Sequence, residues 1–487
     1  MPGWTMTLTR VGNGQERSMS DEAHRLARSA MLDTPTSSST EVQRAIRSPV
    51  GGPPGGHSAT ASVRGLSLAA NFRWTFAGNG VNAVCQWGML AVLARVANVG
   101  AVGQFVLGIS IAGPILSLAM LQLRSVQVTD VRNEFSFGDY FGTRIAWTAI
   151  GLLAIAVCGT AVGEDGPTMG VILAVGAMKS VDSVCDVVRG LFQRHERMDL
   201  SGMSLLVKGP LSLIALATTM WLSGNLVLAT CAAAAAWTVS LVVNDLRPAR
   251  RLLVETFGEA AGPNLLRPRF ALPSVLRLTW IALPLGIVMA LISLQTNIPR
   301  YFLKIHSGNE ALGYFGAIVY PMMAGMMVTT AMGQSAAPRL ARHFVEDLSA
   351  YRRLLIRLSL ISAGLGLALI VGTYALGDAA LRVLYGPEYA AYSREFVVLS
   401  VAWGIQLVSS CCGYGLTSAR YFRAQVMVTA VSCLTTALAA WLWVPSHGVM
   451  GAAAAVLVTS LTMAVGFAAG IVSAIRARAR SATEAIA

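Results

Sequence analysis

Twelve long apolar runs follow one another from about residue 74 onward, and the basic residues between them fall almost entirely into alternate connections. A bilayer core of ~30 Å needs about 20 apolar residues per helical crossing. Inside hydrocarbon every backbone N–H and C=O must be satisfied within its own segment, so each run should be a helix. Composition agrees. Hydrophobic residues make up 54% of the chain and charged residues 13%, where a soluble domain carries about 25% charged. The net charge of +13 would suggest a nucleic-acid binder in a soluble protein. Here the arginines sit between apolar runs, so membrane topology accounts for the charge and no nucleic-acid partner is expected.

The runs lie at roughly 74–96, 102–123, 144–163, 168–192, 202–223, 224–244, 278–299, 311–336, 355–376, 394–418, 424–443 and 449–474. Even-numbered connections and the C-terminal tail hold 22 basic residues, among them Arg124, Arg144, Arg189, Arg250 and Arg480. Odd connections hold five: Arg95, Arg300, Lys304, Arg382 and Arg394. The positive-inside rule therefore predicts even loops and both termini in the cytoplasm. The first 70 residues differ. They are rich in Ser, Pro and Gly and contain no spanning run, the composition of a disordered tail. A chain starting nearer Leu66 would keep every span.

The longest internal connection, 246–277, divides the bundle into an N-lobe at 71–245 and a C-lobe at 278–475, with a cytoplasmic tail at 476–487. The expected fold is all-α: a polytopic bundle of about twelve helices in two six-helix lobes around a central cavity. The halves show weak internal similarity. The first helix of each ends at an arginine (Arg95, Arg300). The second opens with an aromatic near a glycine (Gly103 and Phe105; Gly313 and Phe315) and ends with Gln and Arg (Gln122 and Arg124; Gln334 and Arg339). Six helices per half give a parallel repeat, with a pseudo-two-fold along the membrane normal.

Polar residues inside the runs are the candidates for chemistry. Lys179, Asp182, Asp186 and Arg189 occupy an arc of about 80° on the fourth helix. Each ionisable group near the bilayer centre costs about 2.5–3.5 kcal/mol. Ion pairs within the helix, Lys179 with Asp182 and Asp186 with Arg189, would lower that cost. The alternative is a charged stripe on a cavity, with Lys179 and Asp182 deepest. Thr75, Asn79, Asn82 and Gln86 form a second polar face on the first helix, either as glue between helices or as a wall for sugar hydroxyls. Arg73, Arg95, Lys208 and Arg300 stand at or near helix ends, where arginines snorkel to headgroups or clasp a pyrophosphate; Asn297 lies one turn from Arg300. All seven cysteines read as small core residues without metal-ligand spacing. There is no phosphate loop, His-Glu-x-x-His or Gly-x-Ser-x-Gly, so neither a cofactor nor an enzymatic activity is expected.

Three stretches carry a family likeness: Asn71–Gly80; Thr296–Phe302 with Leu312–Gly316; and Met332–Ala341. They resemble the polysaccharide-biosynthesis flippases of the multidrug/oligosaccharidyl-lipid/polysaccharide exporter superfamily. The resemblance covers about residues 68–475. It implies a carrier of a polyprenyl-pyrophosphate-linked oligosaccharide across the bacterial inner membrane, working by alternating access. Its partners would be that lipid-linked substrate, the bilayer, and a polysaccharide polymerase and chain-length regulator. The candidate cavity residues are then Lys179, Asp182, Asn79, Asn82, Gln86, Arg300, Asn297 and Arg73. A drug–cation antiporter of the same superfamily, or a membrane-embedded polymerase or glycosyltransferase, is the alternative.

Overall fold

The computed structural model describes residues 66–130, 134–161, 166–258 and 266–484. The tail expected at the N-terminus lies almost wholly outside these residues. The described residues form helices: α1 Leu68–Val96, α2 Val99–Ala119, α3 Leu123–Thr129, α4 Phe137–Ala161, α5 Gly166–Arg194, α6 Met198–Ser223, α7 Leu226–Ser240, α8 Arg247–Phe257, α9 Leu272–Val319, α10 Met323–Glu346, α11 Leu348–Leu384, α12 Ser393–Ser418 and α13 Phe422–Glu484. A π-helical turn, Leu241–Leu246, joins α7 to α8.

Local chemistry sets the boundaries. Ser67, Asn98 and Asn225 cap α1, α2 and α7, their side chains accepting from the amides of Ala70, Ala101 and Leu228. Gly224, at φ +63°, closes α6 and makes the tight turn into α7. Two glycines break helices that otherwise run on: Gly308 in α9 at φ +79° and Gly448 in α13 at φ +51°. Divided there, α9 and α13 give two crossings each. With α10 completing the second of the α9 crossings, twelve rods succeed one another in the order hydropathy predicts. The Arg300 side of the repeat needs correction. Its helix continues past Arg300 to the break at Gly308, so Arg300 is not at a helix end. Counted from Gly103 and Gly313, Arg300 corresponds to Leu90 and Arg95 to Ile305.

Eight helical stretches are long and apolar enough to cross a membrane by composition, and their outer surface is that of a multi-pass membrane protein. Leu222 is 78% exposed, Trp221 77% and Leu434 71%, which only a lipid surround makes favourable. Helices α1, α5 and α10 fall outside the eight. The first two are those with polar faces. Of the cysteines, Cys85, Cys185 and Cys411 are buried, but Cys158 and Cys231 are exposed. The expectation of seven core cysteines fails because the lipid-facing surface is as apolar as the core.

The lobes meet closely at the end away from the arginine-rich connections. Gly103 on α2 lies against the backbone of Asn309, and Gly313 against Val99 and Gly103, leaving no room for a side chain. The glycines that correspond in the two halves thus touch, as residues beside a two-fold axis do. Trp87 Nε1 donates to Tyr385 Oη at 2.6 Å, and Arg95 donates to the carbonyls of Arg382, Val383 and Leu384 at the end of α11. Midway along, Tyr301 Oη donates to Ser110 O at 2.5 Å. At the basic end, the connection between lobes is partly helical. Ala249, Leu252 and Leu253 of α8 are buried in one cluster with Val187, Val188 and Leu191 of α5.

Candidate functional site

Helix α5 runs through the interior of the first lobe, and its ionisable residues find most of their partners on neighbouring helices. Asp182 Oδ1 lies 2.5 Å from Lys208 Nζ on α6 and 3.2 Å from Arg189 Nη2. Asp186 pairs with Arg144 on α4 at 3.1 Å and with Arg124 on α3 at 3.4 Å. The pairs expected within α5, Lys179 with Asp182 and Asp186 with Arg189, are not the ones that form. Side chains on a helix lean toward its N-terminus. The long Arg189 therefore climbs two turns to Asp182, while Lys179 leans away from it. Lys179 Nζ instead donates to Gln86 on α1 at 3.3 Å. Beneath it the ring of Trp237, on α7, takes both ammonium groups, Lys208 at 4.4 Å and Lys179 at 5.4 Å.

Thr75, Asn79, Asn82, Arg124, Asp182, Arg189, Met198, Ser201 and Leu205 line a cavity of about 150 Å³ in the half of the lobe nearer the basic end. Asn79 Nδ2 donates to Thr75 O at 2.8 Å, and the buried Asn82 Oδ1 has no hydrogen-bond partner among the described residues. Close backbone approach brings α1 and α6 together here. A Cβ on Gly78 would lie 2.8 Å from Gly202 Cα.

The candidates thus separate into two groups and an outlier. Asn82, Gln86, Lys179 and Asp182 gather inside the first lobe, with the exposed Asn79 at the cavity edge. Asn297 and Arg300 lie on α9 against α2: Arg300 is 6% exposed and its Nη1 donates to Asn297 Oδ1 at 2.8 Å. No carboxylate lies within ion-pair distance of Arg300 among the described residues, and its Nε is buried without a partner. Arg73 is exposed at the start of α1.

Sequence reasoning missed Arg144, Trp237 and Asp245. Arg144 was counted as a loop cation, yet its side chain is fully buried. Trp237 sits in a run of alanines that resembles plain lipid-spanning helix. Asp245 follows the apolar run directly and precedes three arginines, so it reads as the start of a loop. Asn–Asp at the end of an apolar run was the available signal.

A family model described as Polysaccharide biosynthesis protein matches residues 68–344. The chain belongs to that family. The match spans all of the first lobe and α9. The chain is also similar to the capsular polysaccharide biosynthesis protein CapF of Staphylococcus aureus, 23% identical over 401 residues, covering 82% of this chain and 98% of CapF. Among solved structures it resembles an inward-facing multidrug resistance MATE family transporter of the MOP superfamily, with TM-score 0.62 and 14% identity over 86% of this chain and 97% of that one. It resembles the lipid II flippase MurJ in an inward closed conformation, with TM-score 0.61 and 8% identity over 81% and 86% of the two chains. The Vibrio cholerae MATE transporter VcmN gives 0.56 and 14% over 85% and 97%. At such identities these structures speak to the fold alone: a two-lobed all-helical membrane bundle.

Proposed function

We propose that this family member carries a polyprenyl-pyrophosphate-linked oligosaccharide from the inner to the outer leaflet of the bacterial inner membrane, serving polysaccharide synthesis outside the cell. The observation that carries the reading is a surplus of buried and half-buried positive charge. In the polar clusters of the first lobe, Arg124, Arg144, Lys179, Arg189 and Lys208 face three carboxylates, Asp182, Asp186 and Asp245. Arg300 adds a further cation with no carboxylate partner among the described residues. Uncompensated cations in a low-dielectric interior favour an anionic cargo, and guanidinium forks suit pyrophosphate oxygens. Asn79, Asn82 and Thr75 on the cavity wall suit sugar hydroxyls.

A drug–cation antiporter would need an acid bare toward the cavity, and Asp182 is already met by Lys208 and Arg189. Rocking of the lobes about their contact at Gly103 and Gly313 would expose the substrate on alternate sides. A membrane potential negative inside assists the exit of an anion by ~2.3 kcal/mol per charge per 100 mV.

The test is reconstitution. Vesicles containing the purified protein and a fluorescent lipid-linked oligosaccharide should move the label between leaflets, read by a membrane-impermeant quencher. Folded protein that moves no lipid-linked sugar, or that moves organic cations instead, would refute the proposal.

A further inference from the structure

Asp245 stands in the π-helical turn after α7. Its side chain is wholly buried, and neither carboxylate oxygen has a hydrogen-bond partner among the described residues. The buried Ser204 Oγ is likewise without one. The polar groups around Asp245 come from two packed helices: Cys185 and Arg189 from α5, Ser204 and Lys208 from α6. Helix α7 carries no charged residue. Arg247, Arg250 and Arg251, on the continuation into α8, face outward. The π turn inserts one extra residue, which shifts the helix phase by about 100°. Such turns recur at functional sites because they re-aim a side chain. Here the re-aimed side chain is a carboxylic acid facing the interior.

A wholly buried carboxylate that accepts no hydrogen bond is strongly disfavoured when ionised and takes up a proton instead. Both neighbouring cations are already engaged by Asp182, which lines the cavity. One of them is only half used, because Arg189 Nη1 is buried and has no hydrogen-bond partner among the described residues. We propose that Asp245 is a proton-binding site: it carries a proton in the conformation described here, and on losing it draws Arg189 away from Asp182.

Two carboxylates then compete for one guanidinium, and the proton on Asp245 decides which wins. Protonation leaves Asp182 on the cavity wall held by both cations; deprotonation leaves it with Lys208 alone and lowers the net positive charge of the lobe by one. Proton and anionic cargo would therefore favour each other's binding, reciprocally. A metal cation is a poorer occupant, since it needs several oxygen ligands and Arg189 and Lys208 repel it. The site lies in the lobe to which the transport reading assigns the cargo, but the test contains no cargo. Its failure would leave that reading standing.

Infrared difference spectra of the full chain in lipid nanodiscs, titrated in sodium-free buffer, read the carboxylic-acid C=O band directly. The wild type should keep an acid band at neutral pH, and Asp245→Asn should lose it. Asp182→Asn should lower the midpoint of that band by roughly one pH unit or more, because Arg189 and Lys208 are then free to hold the ionised form. A merely structural Asp245 would keep its midpoint. No acid band at neutral pH, or one that survives in Asp245→Asn, overturns the proton site. So does a band that vanishes when sodium is added at fixed pH, which would make the site one for a metal cation. An unchanged midpoint in Asp182→Asn overturns the exchange of Arg189. If Asp245→Asn does not fold, isotope-labelled aspartate in the wild type shifts the band and assigns it, since Asp182 and Asp186 are both ion-paired.

Discussion

Arg300 is buried with one side-chain hydrogen bond among the described residues, to Asn297, and burying such a cation costs stability, which a function would explain. Arg300→Leu should therefore leave the unfolding midpoint in detergent unchanged or raised, while reconstituted flipping falls at least about tenfold, a loss of ~1.4 kcal/mol of transition-state binding. Lower stability with normal flipping would make the residue structural. Asp182 predicts the opposite. It neutralises two cations, so Asp182→Ala strands both and should cost about 3 kcal/mol, the low end for breaking a buried pair because the side chain is 30% exposed. Adding Lys208→Met should recover part of that loss in chemical unfolding. Replacing Lys179 together with Asp182 would not be a balanced change, because Lys208 and Arg189 lose their partner. The sequence located these charges on one face of α5, since helical spacing fixes angle. It could not name their partners, because which helices pack against that face is a tertiary matter and side-chain lean decides who reaches whom.

Helix ends and helix crossings respond to different variables. Asp347 caps α11, its Oδ1 accepting from Ser349 Oγ at 2.7 Å and from the amides of Ser349 and Ala350. These bonds, the one from the Ser349 hydroxyl foremost, hold its acid below the usual carboxylate value. A lowered folded-state value means that the cap contributes fully above the ordinary carboxylate range and is lost as pH falls through the depressed value. Protection of the Ser349 and Ala350 amides, taken as observed exchange relative to the intrinsic rate at each pH, should fall on acidification, and Asp347→Ala should abolish that pH dependence. At the crossing of α2 with the start of the second α9 rod, Gly103→Leu cannot be accommodated without separation. Spin labels at Ala97 and Ser307 should move apart in that variant; an unchanged distance would mean the lobes are not wedged there. The glycine pattern of the two halves was legible as a repeat. Its meaning was not, because a shared motif does not reveal that its two copies touch.

At the scale of the whole molecule, the alternation of arginines predicts a single orientation. Cysteines at Gly166 and His447 should label from one side of the membrane, and cysteines at Arg250 and Arg480 from the other; one reversed label would break the topology. The bundle was readable because hydropathy reports crossings one at a time. Even so, α5, like α1 and α10, does not register as apolar enough to span, although its run at 168–192 counts among the twelve read from the sequence. That exception bears on how the protein is made. A segment bearing Lys179, Asp182, Asp186 and Arg189 does not partition alone from the insertion machinery into lipid. Arg144 is already synthesised when α5 emerges, but Lys208, the closest partner of Asp182, follows it by 26 residues. At ~5–20 residues per second, that gap lasts about 1–5 s. During it α5 must wait beside α4 in a protected, wet environment, and leave for the bilayer only as one unit with α6. Nascent chains arrested before Lys208 should accordingly fail to anchor α5, while chains arrested after α6 should hold it.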